Sequence, residues 1–190
     1  MAKFLVIPGS NRSGSHNVKL AAAAAKELAL LGADVTRISL IDYPLPIYDN
    51  DLKSNEGIDK NALKLAEMIS VHDGIFIASP EYNGSISPLL KNTIDWISII
   101  RKKDDKPWAP LKGKVIGLGA ASPGNLGGVR GLNHLRDVLV SIGCQVISEQ
   151  TLVPTAGKAF GEDGTLIAER AIKSLSNSCQ SLHRVSQILS

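Results

Sequence analysis

The chain is poor in most of the features that assign chemistry by themselves. Cysteine occurs twice in 190 residues, at Cys144 and Cys179. Lacking CxxC or metal-ligand spacing, the pair forms neither a disulfide framework nor a thiolate metal site, and points to reduced, buried thiols in a cytoplasmic protein. Aromatic residues make up 4% of the chain, so nucleic-acid bases would find few rings on which to stack. Lys and Arg total 21 against 18 Asp and Glu, a net charge of +3 with no block of one sign. No nucleic-acid partner is expected from that balance; it suits tolerance of small anionic ligands instead. Long apolar runs are missing as well. The stretch Val18 to Leu31 is broken by Lys19, Lys26 and Glu27, and Met1-Ala2-Lys3 leads straight into the strand-length run Phe4 to Ile7. Neither a membrane span nor a secretory leader is expected.

Familiar catalytic patterns are absent too. Neither G-x-x-x-x-G-K-[ST] nor G-x-G-x-x-G occurs, which argues against a triphosphate or pyrophosphate loop and leaves a mononucleotide phosphate as the better fit. No HExxH, Ser-His-Asp arrangement or carboxylate pair on one helix face stands out. His16, His72, His134 and His183 are scattered over expected loops and helix surfaces. No catalytic side chain and no metal ligand set is expected, and where side chains lack chemistry a cofactor usually carries it.

What is present is an alternation of strands and helices. Apolar runs at Phe4–Ile7, Asp34–Leu40, Gly74–Ala78, Val115–Ala120 and Cys144–Ser148 read as strands covered on both faces. Helices are expected over Val18–Leu31, from a cap at Asp59 to Val71, from Ser87-Pro88 to Ile100, over Val129–Ile142 and over Leu166–Leu182. Ser as N-cap followed by Pro at the first helical position is a favoured start. Leu45 to Gly57 and Arg101 to Leu111 read as irregular connections. The expected fold is α/β: a flavodoxin-like, doubly wound, five-stranded parallel sheet with helices on both faces. Residues 1–190 are expected to form a single domain, long enough to bury roughly 70% of the unfolded surface.

Three polar loops follow strands one, three and four. The first carries Ser10, Arg12, Ser15, His16 and Asn17 and runs into a helix, where free amides, hydroxyls and the helix dipole favour a phosphate. The second, Pro80-Glu81-Tyr82-Asn83-Gly84, is stiff at its start and flexible at its end; its backbone and Asn83 suit the edge of a planar polar ring. Glu81 has no charge partner nearby in sequence and reads as solvated unless a partner lies across the fold. The third contains Ser122, Gly127 and Gly128. Ligands of open α/β sheets bind at the carboxyl ends of the strands where strand order reverses, so one ligand gripped by these loops is expected there.

Together, G-S-x-R-x-x-S-x-N at Gly9–Asn17, S-P-E-Y-N-x-S at Ser79–Ser85 and K-N-x-I-D-W at Lys91–Trp96 resemble the NADPH-dependent FMN reductase family over residues 3–150. This flavodoxin-like group includes bacterial quinone and chromate reductases and some azoreductases. The resemblance implies that Ser10, Arg12, Ser15 and Asn17 hold the FMN phosphate, and His16, within the same loop, is expected among the cofactor-binding residues. It places Pro80, Glu81, Tyr82, Asn83 and Gly84 along the isoalloxazine and ribityl chain, and Ser122 with Gly127-Gly128 on the other side of the ring. It further implies NADPH or NADH as donor, small-molecule oxidants as acceptors, and a homodimer or homotetramer with the flavin near an interface. In quinone-reductase relatives an Arg, a Tyr and a Glu form an interface network; Arg130 and Glu149 match by position, but Asn133 stands in place of the Tyr. A flavodoxin-type carrier without its own NAD(P)H oxidation is the alternative. The usual strong acidity of such carriers is missing. The sequence leaves open the nicotinamide preference and the physiological acceptor.

Overall fold

The computed structural model describes residues 1–189. Its elements run β1 (Lys3–Pro8), α1 (His16–Leu30), β2 (Asp34–Arg37), α2 (Asn50–Glu56), α3 (Lys60–Val71), β3 (Gly74–Ala78), β4 (Glu81–Tyr82), β5 (Ser85–Ile86) and α4 (Pro88–Ser98). They continue with β6 (Lys102–Lys103), β7 (Lys106–Pro107), β8 (Val115–Ala121), α5 (Val129–Ser141), β9 (Gln145–Val153), α6 (Ala156–Ala159) and α7 (Glu169–Leu189). Five of the strands form one parallel sheet in the order β2-β1-β3-β8-β9.

Each central strand divides its side chains between two helical layers, as a period of two requires. Phe4, Val6, Phe76 and Ala78 pack with Leu20, Ala24 and Leu28 of α1 and Leu175, Cys179 and Leu182 of α7. Leu5, Ile7, Ile75, Ile77, Ile116 and Leu118 pack with Leu65 and Ile69 of α3, Leu90 and Ile94 of α4 and Leu135 and Leu139 of α5. The glycines of β8 follow from the same crowding. A Cβ at Gly119 would come within 2.9 Å of the Phe76 ring and 3.2 Å of Leu20.

The chain passes from β1 to β2 on one side and to β3 on the other, so strand order reverses between β1 and β3. That reversal opens a crevice at their carboxyl ends.

Several boundaries differ from the expected ones. The stretch 45–57 holds the short helix α2, whose start is capped by Asp49 Oδ1 accepting from the amides of Asp51 and Leu52 at 2.8 and 2.9 Å. Its polar sequence buries no residue, so no apolar period marked it. β2 ends at Arg37, and a 3₁₀ turn spans Leu40–Asp42. The 101–111 connection contains the β6–β7 hairpin, turned at Asp104 and Asp105 with φ of 51° and 59°. β9 extends to Val153 rather than stopping at Ser148, continuing past a register shift opposite Ile116 and Leu118; Ser148, Glu149 and Gln150 hid the continuation. α7 begins at Glu169, because Leu166 instead bridges to Phe160, and it runs on to Leu189.

Candidate functional site

The first two loops meet at the crevice. Gly9 donates its amide to Ala78 O at 2.8 Å, and a Cβ at Gly9 would lie 3.1 Å from Leu90 and 3.3 Å from Pro80. Ser87 Oγ donates to Gly9 O at 2.7 Å and accepts from Leu90 N at 3.4 Å, so one hydroxyl both caps α4 and joins the loops. The sequence marks Ser87 as a cap only; its second bond spans 78 residues, beyond the reach of local pattern.

Asn17 connects the first loop to the third. Its Nδ2 donates to Ala121 O and its Oδ1 accepts from Ala121 N, both at 2.9 Å and buried. Both ends of the carboxamide are engaged by Ala121, and Asn17 also presents its backbone amide at the start of the helix. Glu81 connects the second loop to the third. Its Oε1 accepts from Arg130 Nε at 3.0 Å and Nη2 at 2.7 Å, and its Oε2 accepts from Gly131 N at 3.1 Å. The N-cap of α5, Gly128, has no side chain to satisfy that turn, so a carboxylate 50 residues upstream does so. The solvated reading of Glu81 is thereby corrected. Burial pushes its carboxyl upward, but the Gly131 amide and then the Arg130 guanidinium hold it below the usual range.

The first loop is receptive to an anion. Ser15 is buried at the start of α1 and its hydroxyl makes no capping bond. The His16 and Asn17 amides, at the helix's open end, have no acceptor among the described residues. Ser10, also buried, accepts from the Arg12 amide at 3.3 Å. The exposed Arg12 guanidinium folds over the loop, donating to Ser13 O at 3.1 Å and Gly14 O at 3.3 Å. Among the described residues no carboxylate pairs with it. Amides, hydroxyls and an uncompensated cation at a helix N-terminus are the donor set a phosphate requires.

His16 is less simple than a surface histidine. It stacks on Phe160 with ring centroids 6.0 Å apart and planes 10° from parallel, and its Nδ1 is buried without a hydrogen-bond partner among the described residues. Burial first, then the charges of Arg12 and Lys19, lower its pKa and favour the neutral ring. His72 is buried as well, against the expected surface position.

The second loop is a defined hairpin rather than a flexible end. Asn83 and Gly84, with φ of 50° and 77°, form a two-residue left-handed turn between β4 and β5, the geometry an Asn-Gly pair favours. Tyr82 stands exposed at the rim. In the third loop Ser122 Oγ accepts from Gly124 N at 3.3 Å. Gly128 has φ 88° and passes so close to Ala120 that a Cβ would sit 2.7 Å from its Cβ. The implied Arg130–Asn133–Glu149 trio is not assembled within one chain: Glu149 Oε2 instead accepts from Ser181 Oγ at 2.8 Å and Ser148 Oγ at 3.0 Å.

Among the described residues no three His, Cys, Asp or Glu side chains gather as metal ligands. Both thiols are buried and their pKa values raised by desolvation, Cys144 to about 12.

Comparison with known proteins agrees with this reading. The profile of the family described as NADPH-dependent FMN reductase matches residues 2–158. The chain is 37% identical to a quinone reductase of Escherichia coli over 147 residues, 77% of this chain and 74% of that protein. It is 32% identical to an NAD(P)H-dependent FMN reductase of Pseudomonas aeruginosa over 182 residues, 95% and 92% of the two chains. The solved structure of FerB, a flavoenzyme NAD(P)H:(acceptor) oxidoreductase from Paracoccus denitrificans, superposes with a TM-score of 0.79 at 25% identity, covering 99% of this chain and 98% of that one. With all three loops inside the matched region, the chain belongs to the NADPH-dependent FMN reductase family.

Proposed function

We propose that the protein is an NAD(P)H-dependent, FMN-containing oxidoreductase that reduces quinones, free flavin or similar small oxidants. The observation that carries the proposal is the anion-receptive start of α1, with unpaired amides at His16 and Asn17, a buried uncapped Ser15 hydroxyl and unpaired Arg12, pressed against the second loop through Ser87 and Gly9. The relatives matched over 77% and 95% of the chain are reductases, which favours an enzyme over a flavodoxin-type carrier.

FMN, when bound, supplies a ring that accepts two electrons from a nicotinamide and passes them on singly or together. This chain's residues hold and orient it. Ser10, Arg12, Ser15 and the amides of His16 and Asn17 would take the phosphate. Backbone from Pro80 to Gly84 would line one side of the ring, with Tyr82 at the rim, and Ser122 with Gly127-Gly128 would line the other. Glu81 acts through Arg130 and Gly131, fixing the second and third loops relative to each other. Preorganised amides of this kind stabilise negative charge without reorganising at the moment of transfer.

One flavodoxin-like domain, cytoplasmic and paired as a homodimer or homotetramer, completes the proposal. Two buried free thiols support a reducing compartment. The exposed Arg130 and Tyr82 at the rim support an interface there. No helix among the described residues is long and apolar enough to cross a membrane.

Arg12→Ala tests the phosphate assignment. The dissociation constant for FMN should rise about tenfold or more, as expected for one charge-assisted contact, with kcat at saturating FMN little changed. Unaltered FMN affinity would refute the assignment.

A further inference from the structure

The two helices that begin at the crevice are held in different ways. Ser87 caps α4 by accepting from Leu90 N, whereas Ser15 makes no side-chain capping bond to α1. A cap at α1 would occupy amides that an incoming phosphate needs. Something other than a cap holds that turn, and it comes from the far end of the chain.

His16, the first residue of α1, is half-buried and stacks on Phe160, with centroids 6.0 Å apart and planes 10° from parallel. Ring pairs at this separation attract beyond the area they bury. Lys19, one turn on, sets its Nζ over the same Phe160 ring, 5.8 Å from the centroid. Two side chains of the first turn of α1 therefore land on one ring.

Phe160 is itself fixed. It is buried and bridges to Leu166. Between them Gly161 N donates to Thr165 O at 2.8 Å, and Asp163 accepts from the Thr165 amide and hydroxyl at 2.9 and 2.7 Å. At the other end of the segment, Thr155 N donates to Gly124 O at 3.2 Å and Ala156 N to Ser122 O at 3.0 Å. Residues 155–166 thus form a braced strut from the third loop to the first turn of α1. Phe160 lies just past residue 158, where the family match ends.

We propose that Phe160 is a positioning residue for the FMN phosphate: through the His16 ring it fixes the direction of the open His16 and Asn17 amides and leaves them free to donate. The proposal rests on the reading that the flavin's phosphate sits at the start of α1, and adds a residue that acts without contacting it. A ring stack does here what a cap does for α4, at no cost in donors.

The test compares FMN with riboflavin, which lacks the phosphate, in fluorescence titrations of the flavin-free full chain. Phe160→Leu keeps an apolar side chain in place and removes the flat face; His16→Ala removes the other ring. Each should raise the Kd for FMN about fivefold, the scale of one aromatic contact, and leave that for riboflavin within about twofold. In the double variant the two effects should not add, since both changes break the same contact. His16→Phe, which keeps a ring to stack, should hold FMN within about twofold of wild type. Equal weakening of FMN and riboflavin would mean general loosening of the fold and overturn the assignment. Unchanged FMN affinity in both single variants, or fully additive losses, would overturn it as well. Failure of the underlying reading looks different: the wild type itself would bind FMN no better than riboflavin, and the proposal would fall with it.

Discussion

Glu81 shows how much one side chain can organise. Its two oxygens take three donors from Arg130 and Gly131, and its side chain is only 9% exposed where Arg130's is 62% exposed. Removing it strands the Gly131 amide at a helix start with no other cap. Glu81→Ala should destabilise the fold by about 2 kcal/mol in urea denaturation and lower kcat/KM by loosening the third loop. Glu81→Gln, which keeps an acceptor for Gly131, should recover more than half of the stability. Equal losses in the two variants would mean that the charge on Arg130, rather than the α5 cap, is what matters. The sequence shows Glu81 as a loop carboxylate and Arg130 as the first charged residue after a glycine turn, and nothing local joins them. Asn17 is similar: it reads as a ligand donor, and its partner Ala121 lies 104 residues away.

At the level of elements, the β1, β3 and β8 runs were legible because buried parallel strands leave uninterrupted apolar sequence. The Ser87-Pro88 start and the Asp59 cap were legible because capping is a local bond, and Asp59 does accept from Asn61 N at 2.7 Å. α2 and the second half of β9 were not, since neither carries an apolar period: one is solvent-facing, the other polar along the edge of the sheet. The third loop depends on Gly128 for both its left-handed φ and its approach to Ala120. Gly128→Ala should therefore cost on the order of 1–3 kcal/mol of stability and weaken FMN binding. Calorimetric melting together with an FMN titration checks both effects, and a variant with wild-type melting and affinity would contradict the close packing described for this turn.

For the molecule as a whole, three groups tie stability to pH in the same direction. Glu81 and Glu149 have lowered pKa values: burial raises the first but Gly131 and Arg130 more than offset it, and the Ser181 hydroxyl leads the causes for the second. Each contributes stability above its unfolded pKa that is lost as pH falls through its folded value. His16 is lowered by burial, then by Arg12 and Lys19. The unfolded state therefore takes up its proton first, and stability declines below the unfolded value of about 6.5. Melting temperature should fall steadily from about pH 7 to about pH 4; a flat profile would count against these assignments. Glu81→Gln should flatten the acidic end of that profile. Bound FMN should flatten the His16 part of the decline relative to the apo protein, because a phosphate beside the ring favours its protonated form.

The three loops, legible as separate signals in the sequence, become a single cradle only because strand order reverses between β1 and β3 and because Ser87, Asn17 and Glu81 stitch the loops together across the fold. The most direct test of what that cradle does is an anaerobic titration of the FMN-loaded protein with NADPH and then NADH, following the visible absorption of the flavin. The account predicts rapid bleaching that a quinone reverses. A protein-bound flavin that stays oxidised with both nucleotides would contradict it.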